Sequence, residues 1–262
     1  MSMMRDDDLD QVTGSFAAGL FAGRQVLVSG ASGGIGLMLA RGFARLGASV
    51  LATGTSDAKL AHAAADPAHA GITFASLDVR DAGAIGRCID GLDRLDVLVN
   101  AAGIARPETE YEMETYLDVI DVNMNAAMRT AMAARAKLTE SRGAIVNYAS
   151  MLSFLADASV PAYTASKTGL LGLTRALAHR FGPDGIRVNA IAPGYHETDM
   201  TRPLWSQSSH HDAIAHHTAL KRWGSTIDLV GATLFLASPA ALYITGVCLP
   251  VDGGYSVGAA IG

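Results

Sequence analysis

Short apolar runs alternate with amphipathic stretches along nearly the whole chain. Gln25-Val26-Leu27-Val28 is the first, and further strand-like runs follow at 49–53, 72–77, 95–99, 144–148, 186–190 and 247–250. Between them lie a stretch ending at Leu46 and others at 58–65, 113–138, 163–181 and 229–236, where apolar residues recur at the three- and four-residue spacing of one helix face. Strands that are apolar throughout, not at alternate positions, suit a sheet covered on both faces. Seven such runs separated by helices predict an α/β fold: a doubly wound, seven-stranded parallel sheet with helices on both faces.

No proline-rich or polar linker divides this pattern and no segment repeats at a fixed period, so residues 23–262 read as one domain. Residues 1–22, acidic at the start, read as a flexible N-terminal extension. The one long break in the rhythm, 196–224, is expected to be an irregular lid that shapes a substrate mouth.

Composition narrows the function. Half of the 262 residues are apolar, only 17% are charged and 28 are glycine, which suits closely packed layers and not disorder. The net charge of −5 comes without any Lys/Arg block, so no nucleic-acid partner is expected. No apolar run reaches the length of a spanning helix, and no membrane partner is expected either. Met1 to Gln11 lacks a basic segment followed by an apolar one, from which a cytoplasmic location is expected. Cys88 and Cys248 are too few for a disulfide framework and read as structural thiols. The pairs His210-His211 and His216-His217 lack a metal-ligand spacing, so they read as polar lid residues and no metal is expected.

Ser29-Gly30-Ala31-Ser32-Gly33-Gly34-Ile35-Gly36 links the first strand to a helix. On its own it could be a tight turn. In this context its glycines let a diphosphate approach backbone N–H groups at a helix N-terminus, which makes Gly30, Ser32, Gly33, Gly34, Ile35 and Gly36 candidate cofactor contacts. Asp78 and Val79 follow the third strand, and Asn100-Ala101-Ala102-Gly103 the fourth, at the carboxyl edge where open α/β sheets bind ligands. Asp78 could meet an adenine edge or cap a helix; Asn100 could contact the cofactor or tie strand ends together. The second strand ends in Thr53-Gly54-Thr55-Ser56 without the acid that would hold ribose hydroxyls. Thr55 and Ser56 could serve ribose or phosphate, which tilts the NAD(P) choice slightly towards NADP.

Tyr163 and Lys167 lie one helical turn apart, and Ser150 follows an apolar strand. A cation one turn away favours the phenolate and brings the tyrosine proton within reach of chemistry, while a serine hydroxyl can hold the reacting oxygen. These are the candidate catalytic residues. Read singly, Tyr163 could be a buried structural tyrosine and Lys167 a solvated helix lysine.

Taken together, Gly30/Gly34/Gly36, Asn100-Ala101-Ala102-Gly103, Ser150, Tyr163-Thr164-Ala165-Ser166-Lys167 and Pro193-Gly194 resemble the short-chain dehydrogenase/reductase family over roughly residues 23–256. The resemblance implies a single-domain Rossmann fold with strand order 3-2-1-4-5-6-7 and hydride transfer between NAD(P) and an alcohol or ketone. It adds Asn123 to the catalytic group, holding a water in a proton relay through Lys167, with a helix kink or cap as the alternative. It also implies that Pro193, Gly194 and Thr198 lie beside the nicotinamide. Three positions depart from the family pattern: Ala101 for a second asparagine and Ala149 for a serine, neither of which removes a proton-handling group, and Ser29 for a threonine, which keeps a hydroxyl.

The segments 189–201 and 221–224 are similar to those of gluconate 5-dehydrogenases and 2-deoxy-gluconate 3-dehydrogenases, implying a sugar, sugar-acid or polyol substrate. The alternative is a 3-oxoacyl-carrier-protein reductase. By the same resemblance the chain is expected to form a homotetramer.

Overall fold

The structure, a computed structural model, describes residues 6–258. Its seven parallel strands are β1 (Gln25–Ser29), β2 (Ser49–Gly54), β3 (Ile72–Ser76), β4 (Val97–Asn100), β5 (Ala144–Tyr148), β6 (Arg187–Pro193) and β7 (Cys248–Val251). They form one sheet in the order β3-β2-β1-β4-β5-β6-β7, the doubly wound order that the family resemblance implied. The helices are α1 (Asp6–Thr13), α2 (Gly34–Arg45), α3 (Asp57–Ala65), α4 (Ala82–Asp90), α5 (Met113–Ile120), α6 (Ala126–Ser141), α7 (Pro161–Phe181), α8 (Arg202–Trp205), α9 (Ser208–His217) and α10 (Val230–Ala237).

The central strands are apolar throughout because each feeds two cores. In β1, Val26 and Val28 pack with Leu39 and Phe43 of α2 and Leu234 of α10; Leu27 points the other way, into a cluster with Ile85 of α4, Leu138 of α6 and Phe181 of α7. Each fully buried side chain of this size contributes about 1.5–3 kcal/mol. The edge strands β3 and β7 are only partly covered.

Three expectations are corrected. The extension expected to be flexible is, from residue 6 onward, a helix and a set of turns: Leu9 is fully buried, and Phe21 meets Phe43 edge to face with centroids 5.0 Å apart. The run of aspartates disguises the spacing of Leu9, Val12 and Phe16, whose burial is longer-range than local pattern shows. Residues 1–5 and 259–262 of the two domain expectations lie outside the described residues. The long helix expected over 113–138 is interrupted by a π-helical turn at Asp121–Asn125. The lid is not irregular: it contains α8 and α9.

Register decides what meets at the functional edge. Ser29 pairs with Asn100, Asn100 with Asn147, and Tyr148 with Ile191. The chain segments that leave these strands, 30–36, 101–104, 149–150 and 193–198, therefore emerge side by side.

Candidate active site

Two adjoining cavities lie along this carboxyl edge. One, of about 300 Å³, is lined by Gly30, Ser32, Thr55, Asp78 and Val79; the other, of about 110 Å³, by Ile35, Ser150, Tyr163, Lys167, Gly194 and Thr198. Ala101 and Gly103 belong to both walls.

The glycine turn is shaped for two purposes. Gly30 has φ +72°, and a Cβ there would come within 2.6 Å of the Ala102 backbone; a Cβ at Gly36 would overlap the Gly30 carbonyl. Gly30 thus lets the turn lie tightly against the segment that follows β4, and Gly36 lets the start of α2 close on the turn itself. Gly33 and Gly34 are different, because a Cβ at either would meet nothing. No side chain caps the N-terminus of α2 at Gly33. Free helical N–H groups with an open approach fit the diphosphate of a dinucleotide.

Among the remaining cofactor candidates, roles divide. Thr55 lines the larger cavity, whereas Ser56 caps α3, accepting the Lys59 N–H at 3.3 Å. Asp78 caps no helix, since Asp81 caps α4. Its carboxylate accepts the Arg80 backbone N–H at 2.9 Å and is forked by the Arg80 guanidinium at 2.7–3.1 Å, which holds its carboxyl below the usual carboxylate range. Asn100 ties strand ends: its amide donates to Asn147 Oδ1 at 2.9 Å, and its own Oδ1 accepts the Thr130 hydroxyl at 2.8 Å. Pro193 and Gly194 line the smaller cavity with Thr198, whose oxygen shares a 3.1 Å hydrogen bond with Thr201 and does not cap α8.

Ser150, Tyr163 and Lys167 converge in the smaller cavity. Ser150 Oγ accepts the Leu152 N–H at 3.1 Å, which orients the hydroxyl at the end of β5. Burial pushes the Tyr163 phenol up; a hydrogen bond with Ser150 pulls it down, and the charge of Glu110 pushes it up again. Lys167 Nζ donates to the Tyr148 carbonyl at 2.7 Å and sits 5.5 Å from the Tyr163 ring centroid. Burial lowers its ammonium to about 8. An ammonium of this kind releases its proton easily and, while charged, favours the phenolate beside it.

Asn123 lies on the π-turn and is buried. Its side chain is fully engaged: Oδ1 accepts the Ile104 N–H at 2.8 Å, and Nδ2 donates to the Ile104 carbonyl at 2.9 Å and to Ser166 Oγ at 3.1 Å. The side chain thus fastens the loop after β4 to α7. A Cβ at Gly103 would lie 3.3 Å from Lys167 Nζ and 3.4 Å from Asn123 Oδ1, so both groups border this one glycine.

Two contributors, Glu110 and the Tyr148 carbonyl, were missed in the sequence. Glu110 is fully buried and accepts the Tyr163 backbone N–H at 2.8 Å, yet it stands in the polar run Glu108-Thr109-Glu110-Tyr111-Glu112, where nothing marks one acid as buried. The Tyr148 carbonyl has no side-chain signature. His196 is buried against Gly224, with Nδ1 3.1 Å from the Gly194 carbonyl, and burial lowers its pKa. Of the lid histidines, His211 stacks on Trp223 and His217 packs on Tyr255. Among the described residues no group of three His, Cys, Asp or Glu side chains could hold a metal ion, and no helix is long and apolar enough to cross a membrane.

When bound, a nicotinamide dinucleotide supplies or accepts a hydride. The chain's own residues deal with the other half of an alcohol–ketone exchange. Ser150 can hold the reacting oxygen, Tyr163 can give or take its proton, and Lys167 tunes the tyrosine from one turn away.

The family model described as enoyl-(acyl carrier protein) reductase matches residues 30–256. The gluconate 5-dehydrogenase of Gluconobacter oxydans is 37% identical over 245 residues, covering 90% of this chain and 96% of that protein. The galactitol 2-dehydrogenase (L-tagatose-forming) of Cereibacter sphaeroides is 37% identical over 238 residues, 88% of this chain and 94% of the relative. A crystal structure of a gluconate 5-dehydrogenase from Burkholderia cenocepacia, in complex with NADP and tartrate, superposes with a TM-score of 0.85 at 31% identity, covering 91% of this chain and 97% of the other. A likeness of this extent, carried through sequence and fold alike, makes the chain a member of the short-chain dehydrogenase/reductase family and an NAD(P)-dependent oxidoreductase.

Proposed function

We propose that this enzyme interconverts a secondary alcohol and a ketone on a sugar acid or polyol, with NADP as its preferred cofactor. The observation that carries the reaction type is the convergence of Ser150, Tyr163 and Lys167 in a cavity that adjoins the open glycine turn. The substrate class is supported by relatives that act on gluconate and galactitol, each aligned over nearly its full length. The NADP preference is supported by Thr55 in the cavity wall, by the absence of an acid in Thr53-Gly54-Thr55-Ser56, and by the NADP bound to the Burkholderia relative.

The test is a panel of gluconate-type acids, polyols and a 3-oxoacyl thioester, each with NAD and NADP. A sugar acid or polyol is expected to turn over fastest, with a lower KM for NADP than for NAD. Selective reduction of the thioester would replace this reading with that of a 3-oxoacyl-carrier-protein reductase; the matching family model's description also names an acyl-carrier substrate, but for reduction of an enoyl group and not of a ketone.

We also infer a homotetramer. Met113 and Leu117 on α5, Met128 and Met132 on α6, and Leu242, Tyr243, Leu249 and Val257 around β7 are exposed large apolar side chains. Apolar residues exposed both on these helices and around β7 suit the two kinds of twofold interface from which a closed tetramer is built. Light scattering is expected to give about four times the chain mass of 27.1 kDa.

A further inference from the structure

The loop between β4 and α5 is bonded to two members of the catalytic group at once. At its start, both backbone groups of Ile104 bind the Asn123 side chain. At its far end, Glu110 Oε1 accepts the Arg106 N–H at 2.8 Å and Oε2 accepts the Tyr163 N–H at 2.8 Å. Two further bonds join the same loop to the segment before α7: Glu108 N–H to the Ser159 carbonyl at 3.2 Å and the Tyr111 hydroxyl to the Ala158 carbonyl at 2.9 Å. Glu108 is held at φ +69°, a left-handed conformation that costs a non-glycine residue about 1–2 kcal/mol and persists only where surrounding contacts enforce it.

Helix α7 begins without a cap of its own. Val160 stands at the N-cap and has no side-chain oxygen, so the Tyr163 N–H, in the first turn, would be an orphan donor. Glu110 supplies the missing acceptor from a distant loop. It is 0% exposed, and both of its oxygens serve as acceptors, as those of a carboxylate do. A serine or aspartate at position 160 would have capped the helix locally. The carboxylate here is instead enclosed next to the residue that handles the proton.

We propose that Glu110 is a positioning residue for the reaction: its carboxylate fixes how α7 presents Tyr163, and its buried charge opposes formation of the phenolate that Lys167 favours. The charged or titratable groups facing Tyr163 are Lys167 from its own helix, Glu110 from the loop after β4 and His196 across the cavity. The tyrosine is thus set between a cation and an anion, which holds its proton affinity high enough for it to give the proton back to a ketone as well as to take one from an alcohol. The inference rests on the role of Tyr163 in the proposed function.

Kinetics of alcohol oxidation against pH test it, using whichever substrate the wild-type enzyme accepts, in wild type, Glu110→Gln and Glu110→Asp. In Glu110→Gln the rising limb of kcat is expected to move to lower pH by about half a unit or more, since the repelling charge is gone. Its optimum kcat is expected to fall about tenfold, because an amide sets an N–H₂ group against one of the two N–H donors. KM for the dinucleotide should stay within about twofold. Glu110→Asp keeps the charge but is too short to span both donors, so it should lose kcat with the limb unmoved. A limb that stays in place in Glu110→Gln, with only the melting temperature lowered, would make Glu110 a plain helix cap and overturn the proposal. Should the glutamine variant fail to fold, Tyr111→Phe loosens the same loop from a largely exposed position. It should lower kcat about two- to threefold without moving the limb, and kinetics identical to wild type would overturn the loop's role. A wild-type enzyme that transfers no hydride would refute the function, whereas an active wild type with an unshifted Glu110→Gln limb refutes the present proposal alone.

Discussion

The floor of the active site and the lid above it are built on opposite principles. Under the catalytic residues, polar side chains are spent on one another: Asn100 on Asn147, Asn147 on Thr174 at 3.0 Å, and Thr130 on Asn100, all buried. Satisfied networks of this kind are rigid, because an alternative arrangement would strand a donor or acceptor away from water. In the lid, α9 has no buried residue. Its rings pack on Trp223, itself part of the lid, with His211 stacked at 5.8 Å, and on Tyr255, 4.3 Å from His217, while α8 is tied within the lid by a single bond from Trp205 Nε1–H to the Thr198 carbonyl at 2.9 Å. The floor fixes where a proton moves before any ligand arrives. On this division the lid is expected to change its occupant without disturbing that geometry.

If the floor carries the chemistry, its central residue should give the largest effect. Tyr163→Phe removes the proton-handling oxygen and leaves the ring in place. kcat should fall by about 10³-fold or more, while dinucleotide binding by fluorescence titration changes only a few-fold. Turnover within tenfold of wild type would remove Tyr163 from its assigned role.

Lys167→Met separates function from stability within the floor. Loss of the ammonium should lower kcat by about 10²-fold or more. The ligand-free variant should nevertheless be more stable than wild type at pH 7, by about 1–2 kcal/mol, because a buried ammonium is replaced by an apolar chain of similar length. The sign follows from the lowered pKa. Folded Lys167 loses its proton near pH 8 and the unfolded residue near 10.5, so over that window the unfolded chain binds more protons and wild-type stability rises with pH. The variant's advantage should therefore shrink as pH rises from 7 towards 10, as read from urea unfolding at each pH. A constant difference would show that burial of the charge is not its source.

Asn147→Ala tests the floor away from the reacting atoms. It would leave Asn100 Nδ2 and Thr174 Oγ1 without this partner, in a region closed to water, at a cost of about 2–3 kcal/mol or roughly 5–10 °C in Tm. Calorimetry should find that loss along with a reduced kcat, since the strand ends that seat Ser150 and Gly103 would no longer be tied together. A melting temperature within about 1 °C of wild type would mean that water replaces the bonds and that the floor is less closed than its geometry indicates.

The contrast between floor and lid also explains what could be read from the sequence. The alternation of strands and helices, the glycine turn and the Ser150–Tyr163–Lys167 set depend on local spacing or on backbone conformations that only certain residues adopt, and such features leave a signature in the chain, whereas the strand order was implied by the family resemblance alone. Glu110 and the Tyr148 carbonyl act through contacts across the fold. A glutamate between two exposed-looking glutamates is indistinguishable from them until the loop is folded onto α7. The π-turn at Asp121–Asn125 shifts the helix register without altering its composition, and α8 and α9 hide in a segment with little apolar periodicity. Leu9 is a related case, a core residue placed behind a run of aspartates.

The lid should give the smallest and most selective response. Trp205→Phe keeps an aromatic body on α8 and deletes the one bond from Nε1–H to the Thr198 carbonyl. Thr198 lines the catalytic cavity, and its partner Thr201 binds the His196 carbonyl at 2.5 Å, so the deleted bond acts on the lid wall of the site and not on Ser150, Tyr163 or Lys167. A net hydrogen bond of this type contributes about 0.5–1.5 kcal/mol, which corresponds to a rise of about two- to tenfold in KM for the alcohol. kcat should remain within about twofold and Tm within about 2 °C, because α8 contributes no buried residue to either core. Steady-state kinetics beside a thermal melt decide the matter. A fall in Tm as large as that of Asn147→Ala, or a loss confined to kcat, would mean that lid and floor form one cooperative unit and that substrate choice cannot be altered without altering the chemistry.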